Sequence, residues 1–176
     1  MTRADQPSDD ASNDLYRAVI GEPNQEFYLS YFRRADDRGY APISWHWPVL
    51  FVGLFWLLYR KQYVFALIVF ALAGLATTVG ALIDSAMPGS GWPLPTLSIV
   101  GFSFVYVWLP LHANGIYYKW ARKEIARAKV EYPGQVDAQT RYLEARGGVN
   151  AQLPYLVLIG YIVMSMLVGS LSQLGP

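Results

Sequence analysis

The hydrophobic and polar positions first form short segments that glycine and proline interrupt, and long apolar runs follow. Residues 1–11 are polar and contain no apolar cluster, which predicts a disordered tail. Ser12 can cap a short helix over residues 13–20, and Gly21 and Pro23 would end that helix. The start of the chain is therefore predicted to be a tail followed by a helix.

A second helix is predicted over residues 25–38, between a capping Asn24 and a terminating Gly39. Its aromatic residues recur at a spacing of four, opposite charged residues, and so form one broad face. Such a face has to be covered by the membrane surface, by the rest of the protein or by a partner. We take the aromatic residues of this helix and of the segment after it as candidates for docking a partner: Phe27, Tyr28, Tyr31, Phe32, Trp45, Trp47 and Trp56.

Four apolar runs follow, and their lengths separate them into two kinds. Crossing a bilayer takes about 20 residues, and the runs over residues 63–86, 95–118 and 153–171 are long enough. The run over residues 45–59 is shorter, which is more typical of a re-entrant or interfacial helix. The chain is therefore predicted to be an all-α membrane protein with three transmembrane helices, one short re-entrant or interfacial helix and amphipathic cytoplasmic helices.

The predicted organisation has five parts in chain order. They are a disordered tail (1–11), an aromatic cytoplasmic helical segment (12–44), a re-entrant or interfacial helix (45–61), a three-span membrane bundle (62–172) and an outer tail (173–176). The bundle includes a basic cytoplasmic loop over residues 119–152, within which a helix is predicted over residues 136–146.

The distribution of Lys and Arg decides between two topologies. If residues 45–59 crossed the membrane, the basic residues before them would lie outside. If they dip in and return, all 14 Lys and Arg lie on one side. The positive-inside rule favours the second arrangement. We therefore expect a multi-pass protein of a bacterial inner membrane, with a cytoplasmic N-terminus, a periplasmic C-terminus and anionic lipids at its cytoplasmic face.

Composition supports a membrane protein and narrows the chemistry. Hydrophobic residues make up 53% of the chain and charged residues 15%, against roughly 25% charged in soluble domains. The chain has no Cys and a formal net charge of +1, which excludes thiolate chemistry and gives no reason to expect nucleic acid as a partner. Because no catalytic motif is present, we expect neither an enzyme nor a resident cofactor.

Polar residues within the apolar runs have structural and functional interpretations. Asp84 is expected to be a solvated helix end, but with Thr77 and Thr78 it could also serve transport. His112 follows Pro110, which frees a backbone carbonyl one turn earlier, so His112 is expected to satisfy backbone groups. The less favoured interpretation makes His112 a ligand of a haem or pigment.

A small-residue stripe runs along the first long span. It consists of Ala73, Ala76, Thr77, Gly80 and Ala81. Stripes of this kind let helix backbones approach closely, so we interpret it as a packing surface.

One segment resembles a known family. Residues 44–63 resemble the pattern S-W-x-W followed by F-x-G-x-x-W-x-L-Y-R-K-x-Y, with His46 where Asn is usual. This signature is found in an uncharacterised family of small bacterial inner-membrane proteins, and the resemblance covers roughly residues 27–86. A later Gly147-Gly148 after an Arg also fits. The resemblance implies an inner-membrane location and no particular activity.

The leading functional hypothesis is a non-enzymatic accessory or scaffold subunit. Its aromatic surface and small-residue spans would dock onto a larger inner-membrane complex, with an energy-converting complex as one candidate. The alternative is a self-associating small transporter or channel that uses Asp84, Thr77 and Thr78.

Overall fold

The computed structural model describes residues 7–87, 101 and 103–172, and these residues contain helices and no strand. The helices are α1 (Pro7–Ile20), α2 (Gln25–Arg38), α3 (Trp47–Tyr59), α4 (Tyr63–Ala86), α5 (Leu109–Glu131), α6 (Val136–Arg146) and α7 (Gln152–Ser172), with one π-helical turn at Phe104–Trp108. The all-α fold class is confirmed for this part of the chain.

The first helix begins earlier than predicted. It starts at Pro7, so residues 7–11 are helical and do not belong to a disordered tail. Proline is well suited to the first position of a helix because that position needs no backbone donor. The predicted end is confirmed, since Gly21 follows α1 with φ +73° and donates its N–H to the Arg17 carbonyl at 3.0 Å.

The limits of α2 agree with the prediction, but its N-terminal cap does not. Asn24 adopts the left-handed conformation, with φ 58°, and its side chain makes no capping bond. The amide of Gln25 instead donates to the carbonyls of Arg17 and Gly21, both at 3.2 Å. This places α2 directly against the end of α1.

Helices α1, α2, α5 and α6 pack together into what we call the helical body. Two carboxylates tie it together, the exposed Asp36 and the buried Glu124. Asp36 on α2 accepts hydrogen bonds from Tyr16 at 2.8 Å and Tyr118 at 2.5 Å. Glu124 on α5, 3% exposed, pairs with Arg127 at 2.6 Å and lies 3.6 Å from Arg146 on α6.

Helix α3 is broken in its middle. Gly53 has φ 38° and ψ −109°, a conformation that only glycine adopts readily. The rings of His46 and Trp56, one on each side of the break, lie 5.1 Å apart. Since a straight helix rises about 1.5 Å per residue, it would separate these two positions by roughly 15 Å along its axis. The chain therefore folds back on itself at Gly53.

Two of the three predicted spans are confirmed as apolar helices long enough to cross a membrane. They are Tyr63–Ile83 in α4 and Gln152–Ser170 in α7, and no part of the second stretch is buried. The predicted span over residues 95–118 begins outside the described residues. Its described part, residues 101 and 103–118, includes the π-helical turn and the start of α5 and is not among the helices long and apolar enough to cross a membrane. The outer tail, residues 173–176, also lies outside them.

Both long apolar helices attach to α3, and through α3 to the helical body. Among the described residues no contact joins α4 to α7. Asn150 links their starting points, since its N–H donates to the Tyr59 carbonyl at 2.8 Å and its amide to the Tyr63 hydroxyl at 3.1 Å. The two helices therefore leave the body from one side.

Candidate functional site: a buried arginine beside an apolar cleft

Tyr28 is the centre of a buried aromatic cluster where α2, α3 and α5 meet. Its side chain is 1% exposed, and its ring packs edge-on against Tyr117 of α5 with centroids 5.0 Å apart. The Trp56 indole N–H donates to the Tyr28 hydroxyl at 3.2 Å. Burial raises the pKa of Tyr28 while the nearby Arg60 opposes the shift, so the hydroxyl is neutral at physiological pH.

His46 occupies both of its ring nitrogens in this cluster. Nδ1 accepts the backbone N–H of Val49 at 3.4 Å and caps α3. The proton of a neutral ring is then on Nε2, which lies 2.8 Å from the Tyr28 hydroxyl. Burial lowers the pKa of His46 from 6.5 to about 4, and the positive charge of Arg60 adds to this effect. His46 is therefore uncharged at neutral pH.

Arg60 lies beneath these rings with no exposed surface. Its two terminal nitrogens donate to the backbone carbonyls of Ile20 at 3.1 Å and Pro23 at 2.7 Å. The guanidinium carbon is 4.3 Å from the centre of the Tyr28 ring and 5.3 Å from that of Tyr117, within the range of cation–π attraction. These contacts fix its position.

The charge of Arg60 is not balanced by a carboxylate. No Asp or Glu of the described residues lies within 4.0 Å of its guanidinium, and its Nε has no hydrogen-bond partner among them. Isolated buried charges are costly, and buried cations are usually paired. An unpaired one is a candidate for a functional role.

An apolar cleft of about 770 Å³ opens beside this cluster. Its walls come from the two halves of α3, the start of α2 and the first two turns of α7. The lining residues are Asn24, Phe27, Tyr28, Trp45, His46, Trp47, Pro48, Phe51, Val52, Phe55, Trp56, Tyr59, Arg60, Ala151, Pro154, Tyr155 and Leu158. Arg60 is the only residue with a charged side chain among them at neutral pH.

Comparison with known families covers the part of this site that comes from α2 and α3. The chain matches the family described as "Protein of unknown function (DUF2628)" over residues 22–123. The chain belongs to the DUF2628 family. No curated protein and no solved structure matches it. The match includes the predicted resemblance over residues 27–86 and extends through most of α5, so the resemblance to a family of unknown function is confirmed at that level.

The DUF2628 region contains all seven aromatic residues proposed to dock a partner, and the structure divides them. Four are buried inside this chain and cannot present an outer surface: Tyr28, Tyr31, Phe32 and Trp56. Phe27, Trp45 and Trp47 are exposed and line the cleft. The aromatic face of α2 is thus covered by α1, α3 and α5, because these helices bring their own aromatic rings to it.

Two polar residues of α5, His112 and Asn114, make hydrogen bonds within this chain. The ring of His112 stacks on Trp108 with centroids 4.4 Å apart, and its Nδ1 donates to the Trp108 carbonyl at 2.8 Å. Asn114 donates to the Ser44 hydroxyl at 2.8 Å, which joins α5 to the segment before α3. His46 uses both ring nitrogens elsewhere, so a haem held between two His would require these bonds to break.

The residues proposed for transport lie in α4. The Thr77 hydroxyl donates to the Ala73 and Gly74 carbonyls at 3.1 and 2.8 Å, and Thr78 donates to Gly74 at 2.8 Å. Both hydroxyls are therefore used within their own helix. Asp84 is in the last part of α4, and its side chain lies outside the described residues.

The sequence did not identify Arg60 as part of this site. In the sequence it stands beside Lys61, and both were counted among the 14 Lys and Arg on one side of the membrane. Lys61 is partly exposed, but Arg60 is buried. Neighbouring residues point in different directions, and nothing local distinguishes the two cations. The contacts that bury Arg60 come from Tyr28 and Tyr117, which are distant along the chain.

Proposed function

We propose that this protein is a non-enzymatic accessory subunit that associates with other membrane proteins through its apolar helices. The observation that carries this proposal is the arrangement of α4 and α7. Both helices extend from α3 without contacting each other among the described residues, and neither is covered by the helical body. Their sides are therefore available to helices of another subunit.

The surface of α4 is suited to close helix packing. Gly74 is exposed, and a side chain added there would meet nothing within 4 Å. In a bilayer, where there is no hydrophobic gain between helices, small residues favour association because backbones can approach. A partner helix would thus gain contacts on this face that lipid tails supply less well.

The experiment is purification of the chain from its own membrane in a mild detergent, followed by mass spectrometry of the proteins that accompany it. We expect a stoichiometric larger complex. Gly74→Leu should release that complex because the added side chain fills the packing surface. Leu72→Met is the matched control, since Leu72 lies on the other side of α4. Recovery of the wild-type chain alone would refute the proposal.

The proposal includes an orientation. The helical body apart from the start of α5 and all 14 Lys and Arg would face the cytoplasm. Helices α4 and α7 would cross the membrane, residues 95–118, which include the start of α5, would supply the third span, and α3 would enter and return. Support comes from the hydrogen bonds of Asn150 that link the starts of α4 and α7 and from the reversal of α3 at Gly53. Each half of α3 is too short to span a membrane, so the reversal at Gly53 is suited to a position at the membrane interface.

This orientation can be tested with introduced thiols, because the chain has no Cys of its own. Ser12→Cys in α1 and Ser170→Cys near the end of α7 each create a single thiol. A membrane-impermeant maleimide added to intact spheroplasts should label the second and not the first. Labelling of Ser12→Cys, or protection of Ser170→Cys with access regained only after lysis, would contradict the orientation.

A further inference from the structure

The apolar cleft and the unpaired Arg60 together describe a binding site of defined chemistry. At neutral pH the cleft has one positive charge and no negative one in its lining, since burial keeps His46 uncharged and no Asp or Glu lines the walls. An occupant with a negative group at one end would balance this charge. Its remainder would have to be apolar.

The negative group and the apolar remainder of such an occupant would contact different residues of the cleft. Its polar end is formed by Asn24, which is exposed and makes no capping bond, and by Arg60 beneath the rings of Tyr28 and Tyr59. The other end is formed by apolar side chains of α3 and α7, including Phe51 and Tyr155, which are exposed to the surroundings. Its volume of about 770 Å³ falls within the range of roughly 300–1,000 Å³ typical of ligand sites.

Arg60 would attract an anionic occupant through its electrostatic field. It has no exposed surface and donates to the carbonyl of Pro23, the residue before Asn24, so an anion beside Asn24 would lie close to the uncompensated charge. In an apolar environment this attraction is strong because little solvent screens it. A zwitterionic occupant would gain much less from the same charge.

We propose that the cleft binds one anionic glycerophospholipid, with its phosphate at Asn24 and Arg60 and an acyl chain between α3 and α7. The site differs from the general attraction of basic residues to anionic membranes, since exposed Lys and Arg contribute nothing to its walls. The proposal does not depend on the accessory-subunit function.

The test uses the full-length protein in a non-ionic detergent and native mass spectrometry during titration with phosphatidylglycerol. We expect a single bound lipid at concentrations where phosphatidylcholine with the same acyl chains is not retained. Inorganic phosphate should not displace it, because phosphate lacks the acyl chain. Equal retention of the two lipids, or displacement by inorganic phosphate, would overturn the proposal.

Substitutions distinguish binding in the cleft from a general attraction of the lipid to positive charge. Arg60→Gln should weaken phosphatidylglycerol binding about tenfold or more, as expected when a charged partner is lost. The matched control is Lys61→Gln, which removes the neighbouring exposed cation and should leave affinity within about twofold, since exposed charges contribute little. Equal effects of the two changes would contradict a specific role for Arg60.

A second pair of variants keeps Arg60 in place, in case Arg60→Gln does not fold. Leu158→Trp inserts an indole into the cleft from α7 and should abolish retention of the lipid. Ile159→Trp places the same side chain at the next position of α7, which does not line the cleft, and should have no effect. Unchanged binding by Leu158→Trp, with an unchanged thermal midpoint, would show that the lipid is bound elsewhere.

Discussion

The helical body and the two long apolar helices bury aromatic and aliphatic side chains in opposite ways. In the body, rings such as Phe32 and Tyr117 are completely enclosed by other helices. In α4 and α7, side chains of the same type, including Phe70 and Tyr155, are largely exposed. The body is therefore stabilised by its own packing, whereas the described residues leave most apolar side chains of α4 and α7 uncovered. Changing similar residues in the two regions should have very different effects.

The largest difference is expected for a pair of phenylalanines. Phe32→Ala empties a fully buried site between Tyr16, Tyr117 and Tyr118 and should destabilise the fold by about 3–5 kcal/mol. Phe70→Ala, at a side chain 67% exposed, should change stability by less than about 0.5 kcal/mol. Thermal or denaturant unfolding in detergent, monitored by tyrosine and tryptophan signals, measures both. Similar losses for the two variants would end the distinction between the regions.

A pair of glycines should give effects of opposite sign. A Cβ at Gly147 would collide with the Val19 carbonyl oxygen, which is backbone and cannot easily move. Gly147→Ala should therefore destabilise the body by about 1–3 kcal/mol. At Gly160 in α7 a Cβ meets nothing within 4 Å, and Gly160→Ala should favour the helix by up to about 1 kcal/mol. The same unfolding experiment distinguishes them, and a loss in both would show that α7 is packed in the detergent-solubilised protein.

The smallest effect is a pH dependence confined to the body. The pKa of His46 is about 4 in the folded protein and 6.5 without its surroundings, so between these values the unfolded chain binds more protons. Stability should fall as pH drops through this window, by about 1 kcal/mol between pH 7.5 and pH 6. His46→Asn, which can still cap α3, should remove this part of the dependence. An unchanged profile in the variant would assign the dependence to other groups.

The sequence predicted the limits of individual helices better than the way in which the helices pack against one another. The limits of α2, α4 and α6 follow from clear signals, namely periodic apolar positions ended by glycine, proline or polar residues. The same local signals indicated that α3 is too short to span, and the distribution of Lys and Arg favoured a segment that returns. They could not place the turn, which depends on the conformation of Gly53.

The candidate site could be predicted only in part, because its members come from separate segments. The pattern of α2 showed that Tyr28 and Phe32 needed a cover, but the covering rings belong to α3 and α5. Exposed aromatic residues and internally covered ones give the same periodicity. Only the fold separates Phe27, which stays accessible, from Tyr28 beside it.

The hydrogen bond from the Gly148 N–H to the Val19 carbonyl, at 3.0 Å, has a consequence for the order of events during synthesis. It joins the end of α1 to the loop that follows α6, so the ribosome must deliver nearly the whole chain before the body can close. By then α4, which the proposed orientation places in the membrane, has already left the ribosome. In that orientation insertion precedes closure, and Arg60 is enclosed only after Tyr117 has been synthesised. A nascent chain stopped before α5 should still reach the membrane, yet its first two helices should be digested by protease.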